Sequence, residues 1–128
     1  PELAREFVER TGCDVLAVAF GSAHGNYVRE PKLDMERLKA IKAKVSIPVV
    51  LHGGTGIPDA QIKQAVKFGV RKLNVGTGFD QSIYFAMKKD IEEQISEPYF
   101  FSVLENTFPA AKAFLKSKIE LTRYPDRP

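Results

Sequence analysis

Apolar residues along this chain recur in two ways: three and four positions apart, as on one face of a helix, and in short unbroken runs, as in a strand of a parallel sheet. The first spacing predicts helices over residues 2–10, 34–45, 61–68 and 79–95, and a further helix or helix pair over 99–121. In the first of these Leu3, Phe7 and Val8 share a side, and Thr11-Gly12 ends it. In the second, Leu33, Met35, Leu38, Ile41 and Val45 turn inward while Lys39, Lys42 and Lys44 mostly turn out. The apolar runs predict strands over 14–20, 48–52 and 70–75, and the run at 14–20 reads as buried on both faces. Ser96-Glu97-Pro98 breaks the 79–95 helix, Pro109 is expected to break or kink the last one, and 124–128 is a polar tail.

The resulting order, α-β-α-β-α-β-α-α, predicts an α/β fold with parallel strands joined by helical crossovers. Three polar tips then fall at the carboxyl ends of the three strands: His24 after the first, His52 after the second and Asn74 after the third. In parallel α/β folds, and in (β/α)₈ barrels above all, chemistry sits at that rim.

The middle tip is the densest. Val49-Val50-Leu51-His52-Gly53-Gly54-Thr55-Gly56 runs from strand through histidine into glycines, and Ile57-Pro58-Asp59 follows toward a helix. Exposed turn N–H groups and a helix start favour an anion, and an imidazole at the mouth is able to hold a metal beside it. Gly76-Thr77-Gly78 offers a second glycine-threonine tip. The plainer reading is that these glycines permit tight βα turns and no more. For the histidines, the plainer reading is two ordinary hydrogen-bonding side chains. The chain holds only two histidines, both on the rim and both followed by glycine, which favours the functional reading. A catalytic zinc normally takes three protein ligands, so two imidazoles are an incomplete set.

Composition changes this picture little. The chain has 128 residues, 19 Lys plus Arg against 16 Asp plus Glu, and a formal charge of +3. The excess is spread along helices, so nucleic-acid binding is not implied, and an anionic small molecule is weakly favoured. Cys13 is the only cysteine and reads as a small core residue; no internal disulfide forms, which fits a reducing cytoplasm. No apolar run is long enough to span a bilayer, so no membrane partner is expected. The helix that begins at once after Pro1 suggests a cut inside a longer protein.

Three stretches together carry a family resemblance: Ala17-Val18-Ala19-Phe20-Gly21-Ser22-Ala23-His24-Gly25, then residues 48–58 with the run Leu-His-Gly-Gly-Thr-Gly-Ile-Pro, then Lys72-Leu73-Asn74-Val75-Gly76-Thr77. They resemble the carboxyl-terminal half of the class II, zinc-dependent ketose-bisphosphate aldolases. The likeness covers most of residues 1–95, the expected barrel portion, and leaves 96–128 as a helical extension. It implies the last three strands of a (β/α)₈ barrel, and the reversible cleavage of fructose or tagatose 1,6-bisphosphate to dihydroxyacetone phosphate and glyceraldehyde 3-phosphate. His24 and His52 would be zinc ligands, the zinc acting as Lewis acid on the carbonyl of dihydroxyacetone phosphate. Gly25, Gly53, Gly54, Thr55, Asn74, Val75, Gly76 and Thr77 would bind that substrate, and Asn74 would also orient the enediolate as a catalytic residue. A monovalent cation near the phosphate and a homo-oligomer, dimer or tetramer, are implied as well.

The departures are specific. The family's first zinc histidine, the proton-transferring aspartate before it and the glutamate of a mobile loop all match positions upstream of this sequence. Gly76 and Gly78 stand where the fructose-type branch often has aspartates, which favours the branch that includes tagatose-type enzymes. The chain is therefore expected to be inactive alone, with its open sheet edges covered by another copy. Two rival readings are a non-catalytic sugar-phosphate-binding half-barrel and an assembly piece that docks through its phenylalanine-rich residues 100–114.

Overall fold

A computed structural model describes residues 1–23, 25 and 27–123. The chain forms α1 (Glu2–Thr11), β1 (Leu16–Ala17), α2 (Met35–Lys42), β2 (Val49–Leu51), α3 (Asp59–Lys67), β3 (Val70–Leu73), α4 (Thr77–Glu93), α5 (Phe100–Glu105) and α6 (Phe108–Thr122). The element order is the one the hydrophobic pattern predicts. Packing divides the chain into two compact units, Pro1–Val75 with the chain from Leu121, and Gly76–Glu120.

In the first unit the strands are parallel in the order β1-β2-β3. Leu16 pairs with Val49, and Leu51 with Leu73. Between Val49–Val70 and Val50–Lys72 the register slips by one residue, so Arg71 is the extra residue of a bulge. Its guanidinium turns back to donate to the Val66 and Val70 carbonyls at 3.2 and 3.1 Å. β2 is central and all three of its residues are buried, as a middle strand with covered faces requires. Phe20, Leu38, Val49, Leu51 and Ile62 are fully buried around it. Each such side chain contributes about 1.5–3 kcal/mol by leaving water.

Helix ends follow local chemistry. Asp34 caps α2 by accepting from the Arg37 amide at 2.9 Å. Gly12 ends α1 in the left-handed region at φ 63°. The Gln61 amide on α3 clamps the approach to α2, accepting from the Leu33 N–H at 2.7 Å and donating to the Pro31 carbonyl at 3.0 Å.

Two expectations need correction here. The run at 14–20 is not buried on both faces: Leu16 and Phe20 are buried, but Val15, Ala17 and Ala19 are exposed. β1 is an edge strand, and its ladder partner lies on one side only, so its second row has nothing to cover it. On α1, Ala4 and Val8 pack on the core, whereas Leu3 and Phe7 stand in solvent at 80% and 53% exposure.

The second unit is helical. α4 ends where Gln94 turns left-handed at φ 49°. Just before that end Asp90 is buried, 2% exposed. Asn106 donates to its Oδ2 at 2.5 Å and the Ser96 hydroxyl does so at 2.8 Å, which joins the end of α4, the turn after it and the end of α5. These donors, Asn106 first, hold the Asp90 carboxyl below its ordinary value against the opposing pull of burial. Because the folded pKa is the lower one, this contribution is present at neutral pH and is lost as pH falls through the ordinary carboxylate range and below it. We expect Asp90→Asn to flatten the acid side of the thermal stability profile; an unchanged profile in circular dichroism melts would contradict the assignment.

The last helical stretch divides at Asn106-Thr107 rather than at Pro109. Pro109 sits in the first turn of α6, where a missing N–H costs nothing. Thr107 is buried, its hydroxyl donates to the Leu104 carbonyl at 2.6 Å, and its own carbonyl accepts from Ala110 and Ala111. Among the described residues no helix is long and apolar enough to cross a membrane.

Candidate metal and phosphate site

The carboxyl ends of β1, β2 and β3 are stitched side to side by backbone and one hydroxyl. From β2 to β3, the Asn74 N–H donates to the Leu51 carbonyl at 2.9 Å and the Gly54 N–H donates to the Asn74 carbonyl at 3.0 Å. The ladder thus runs past the strand ends into the loops. From the β1 loop to the β2 loop the link is Tyr27. Its hydroxyl oxygen lies 2.8 Å from the Ala23 N–H and 3.0 Å from the carbonyl oxygens of Ala23 and Gly53. The ring of Tyr27 packs on the core, so the hydroxyl is held rigidly between the two loops.

His52 follows β2 directly and its side chain is exposed at this rim. His24, one residue beyond Ala23, lies outside the described residues, as does Asn26. Asn74 is half-buried, and its Oδ1 accepts from Lys72 Nζ at 2.7 Å, which leaves Nδ2 as the donor end of the amide. Val75 follows it, half-buried. Thr55 is half-buried in the turn ahead of α3. Gly76 and Thr77 open the second unit: Gly76 is the N-cap of α4 and Thr77 its first residue, with no side-chain cap.

The glycines differ in what they do. Gly53 has φ 69°, and a Cβ there would run into the Ala23 carbonyl. A Cβ on Gly54 would come within 2.5 Å of Leu73 Cδ1 and 3.1 Å of the Asn74 carbonyl oxygen. Close approach of the three loops accounts for both glycines, which gives the turn-geometry reading of Gly53 and Gly54 real weight. Gly25 has φ 82°, and neither it nor Gly76 would bring a Cβ within 4 Å of any heavy atom. Packing therefore does not demand glycine at Gly76.

Among the described residues no group of three His, Cys, Asp or Glu side chains is placed to hold a metal ion. An exposed imidazole is the right kind of donor for zinc, but His52 would supply only one of the three protein ligands that a catalytic zinc takes. The reading of the loops missed Tyr27, which lay in a stretch with no periodicity. A tyrosine two residues after the His24-Gly25 tip was the one signal for it.

Parallel βα units with polar strand ends are shared by several α/β classes, and the solved structures this chain resembles place it in one of them: it forms part of a (β/α)₈ barrel. Its residues 1–127 match the family described as class-II fructose-bisphosphate aldolase, and the chain belongs to that family. YdjI of Escherichia coli (strain K12), a protein named as uncharacterized, is 48% identical over 93 residues, which are 73% of this chain and 34% of YdjI. The crystal structure of the YdjI aldolase superposes with a TM-score of 0.85 at 42% identity, over 95% of this chain and 44% of that one. A putative fructose-1,6-biphosphate aldolase from Coccidioides immitis gives 0.84 at 30% identity, over 95% and 42%. The fructose-bisphosphate aldolase of Campylobacter jejuni, at 24% identity and a TM-score of 0.75, shows the same fold. The chain thus spans about a third to under half the length of these relatives.

Proposed function

We propose that this chain supplies the metal- and phosphate-binding strand ends of a class II aldolase, which reversibly cleaves a ketose 1,6-bisphosphate to dihydroxyacetone phosphate and glyceraldehyde 3-phosphate. The observation that carries the reading is the stitched rim. Tyr27 ties the Ala23 carbonyl and N–H to the loop of His52, and the Gly54–Asn74 bond ties that loop to β3. Residues from three strand ends are thereby fixed relative to one another before any ligand arrives, which is what preorganised binding requires.

In this reading His24 and His52 hold zinc with further ligands from outside this sequence. Zinc bound there supplies Lewis-acid polarisation of the substrate ketone oxygen. Gly25, Gly53, Gly54 and Thr55 present backbone N–H groups and a hydroxyl to the phosphate, with Asn74, Val75, Gly76 and Thr77 from the next strand end. Asn74 Nδ2, turned by the Lys72 bond, donates to a substrate oxygen and orients it. The open space at Gly76 suits either branch of the family sterically; glycine rather than aspartate there supports the tagatose-type branch. A monovalent cation beside the phosphate and a cytoplasmic setting belong to the same proposal.

Titration of the ¹⁵N-labelled chain with dihydroxyacetone phosphate tests this. Amide shifts are expected at residues 53–55 and 74–77, stronger with zinc present and weakened by His52→Ala. Binding of equal strength with and without chelator would instead favour a non-catalytic sugar-phosphate-binding half-barrel.

A further inference from the structure

Tyr27 touches the loop after β2 at both of its ends. Its hydroxyl meets the Gly53 carbonyl oxygen at 3.0 Å. Its ring lies so close to Gly56 that a Cβ there would stand 3.2 Å from Tyr27 Cδ2. Gly54 and Thr55 lie between these two points. Glycine gives up more freedom on folding than any other residue, and this loop has glycine at 53, 54 and 56. Gly53 and Gly56 both sit in the left-handed region, at φ 69° and 79°. Such a loop has little side chain of its own to hold it, so it is held from outside. The Asn74 carbonyl takes its middle through the Gly54 N–H, and Tyr27 takes its two ends.

The same hydroxyl also grips the loop after β1. A phenol has one proton to give and two lone pairs to receive with. Here it accepts from the Ala23 N–H at 2.8 Å, while the Ala23 and Gly53 carbonyl oxygens, both at 3.0 Å, share its proton. Ala23 immediately precedes His24, and Gly53 immediately follows His52. One rigid side chain, its ring packed on the core, thus bonds the main chain beside each imidazole-bearing residue. The geometry points to Tyr27 as a positioning residue that serves two subsites at once. Its hydroxyl sets the spacing of the His24 and His52 loops, and its ring sets the far end of the glycine loop. The consequence for zinc rests on the aldolase reading of the rim; the hold on the two loops does not.

Zinc titration and ¹⁵N relaxation dispersion on the whole chain test the two halves separately. Tyr27→Phe keeps the ring and loses the hydroxyl. It is expected to raise the zinc dissociation constant about tenfold, the lower end of what losing an outer partner of a metal site costs. Without metal it should bring microsecond-to-millisecond exchange to the Ala23 and Gly53 amides. Tyr27→Leu removes the ring as well, and the exchange should then spread to Thr55 and Gly56. Val45→Ala is the control for a general loss of stability: it trims a buried side chain ahead of β2, at the end of the strand away from the rim. It should leave zinc affinity and rim dispersion at their parental values. Unchanged zinc affinity in Tyr27→Phe, or equal weakening by Val45→Ala, would overturn the role of Tyr27 while the aldolase reading stood. If the parent chain bound no zinc, that reading would fall instead, and dispersion would decide for Tyr27 alone: exchange at Ala23 and Gly53 in Tyr27→Phe supports it, and a parental profile overturns it.

Discussion

Fructose or tagatose 1,6-bisphosphate incubated with this chain alone and excess zinc is expected to be cleaved no faster than in buffer. The reason is ligand count and proton transfer. A catalytic zinc needs three protein ligands and an open position, and the sequence holds two histidines. In the proposed reading the residues that move protons come from outside this sequence, so even a weakly held metal would lack its acid–base partner. The expected deficit against a complete family member in the same coupled assay is more than about 10⁴-fold, since metal polarisation supplies several kcal/mol and general acid–base catalysis about 10²–10⁴-fold. Robust zinc-dependent cleavage by the purified chain would contradict the account.

Gly53→Ala is expected to be the most damaging single substitution at the rim. Alanine would be strained at φ 69°, and its Cβ would press on the Ala23 carbonyl, which is backbone and has no rotamer to escape into. The two effects together cost roughly 3 kcal/mol, or about 10 °C in melting temperature for a domain of this size. Tyr27→Phe cuts the same link more gently. It removes one hydroxyl shared among Ala23 and Gly53, costs about 1–2 kcal/mol, and should speed hydrogen exchange at the Ala23 amide. If Gly53→Ala melted within about 2 °C of the parent, the close approach of the two loops would be wrong.

How much of this was readable beforehand depends on the range of the forces involved. Helices with one apolar face, such as 34–45, declared themselves because periodicity is local. The parallel order followed from alternation. Strand length did not: the apolar run at 14–20 shrank to Leu16–Ala17, because a ladder needs a partner and pairing is set by distant residues. Tyr27 was invisible for the same reason, since Gly53 lies 26 positions away. Asp90 reads as one more charge beside Lys88 and Lys89, yet it is buried, because Ser96 and Asn106 reach it only after the chain has turned. The tips His52, Gly53, Gly54 and Asn74 were legible as a cluster, since glycine and polar residues directly after apolar runs mark strand ends. That Gly53 is required by the Ala23 backbone and Gly54 by the Leu73 side chain was not legible, because nothing in their spacing reports what passes within 3 Å.

The most direct measurement is zinc titration of the chain followed through the imidazole nitrogens of His24 and His52 by ¹⁵N-edited NMR. Both rings are expected to respond together at one zinc per chain, and His52→Ala to abolish the response of His24. Independent responses, or none, would mean that the two imidazoles do not share a metal, and the aldolase site proposed for this rim would fall with them.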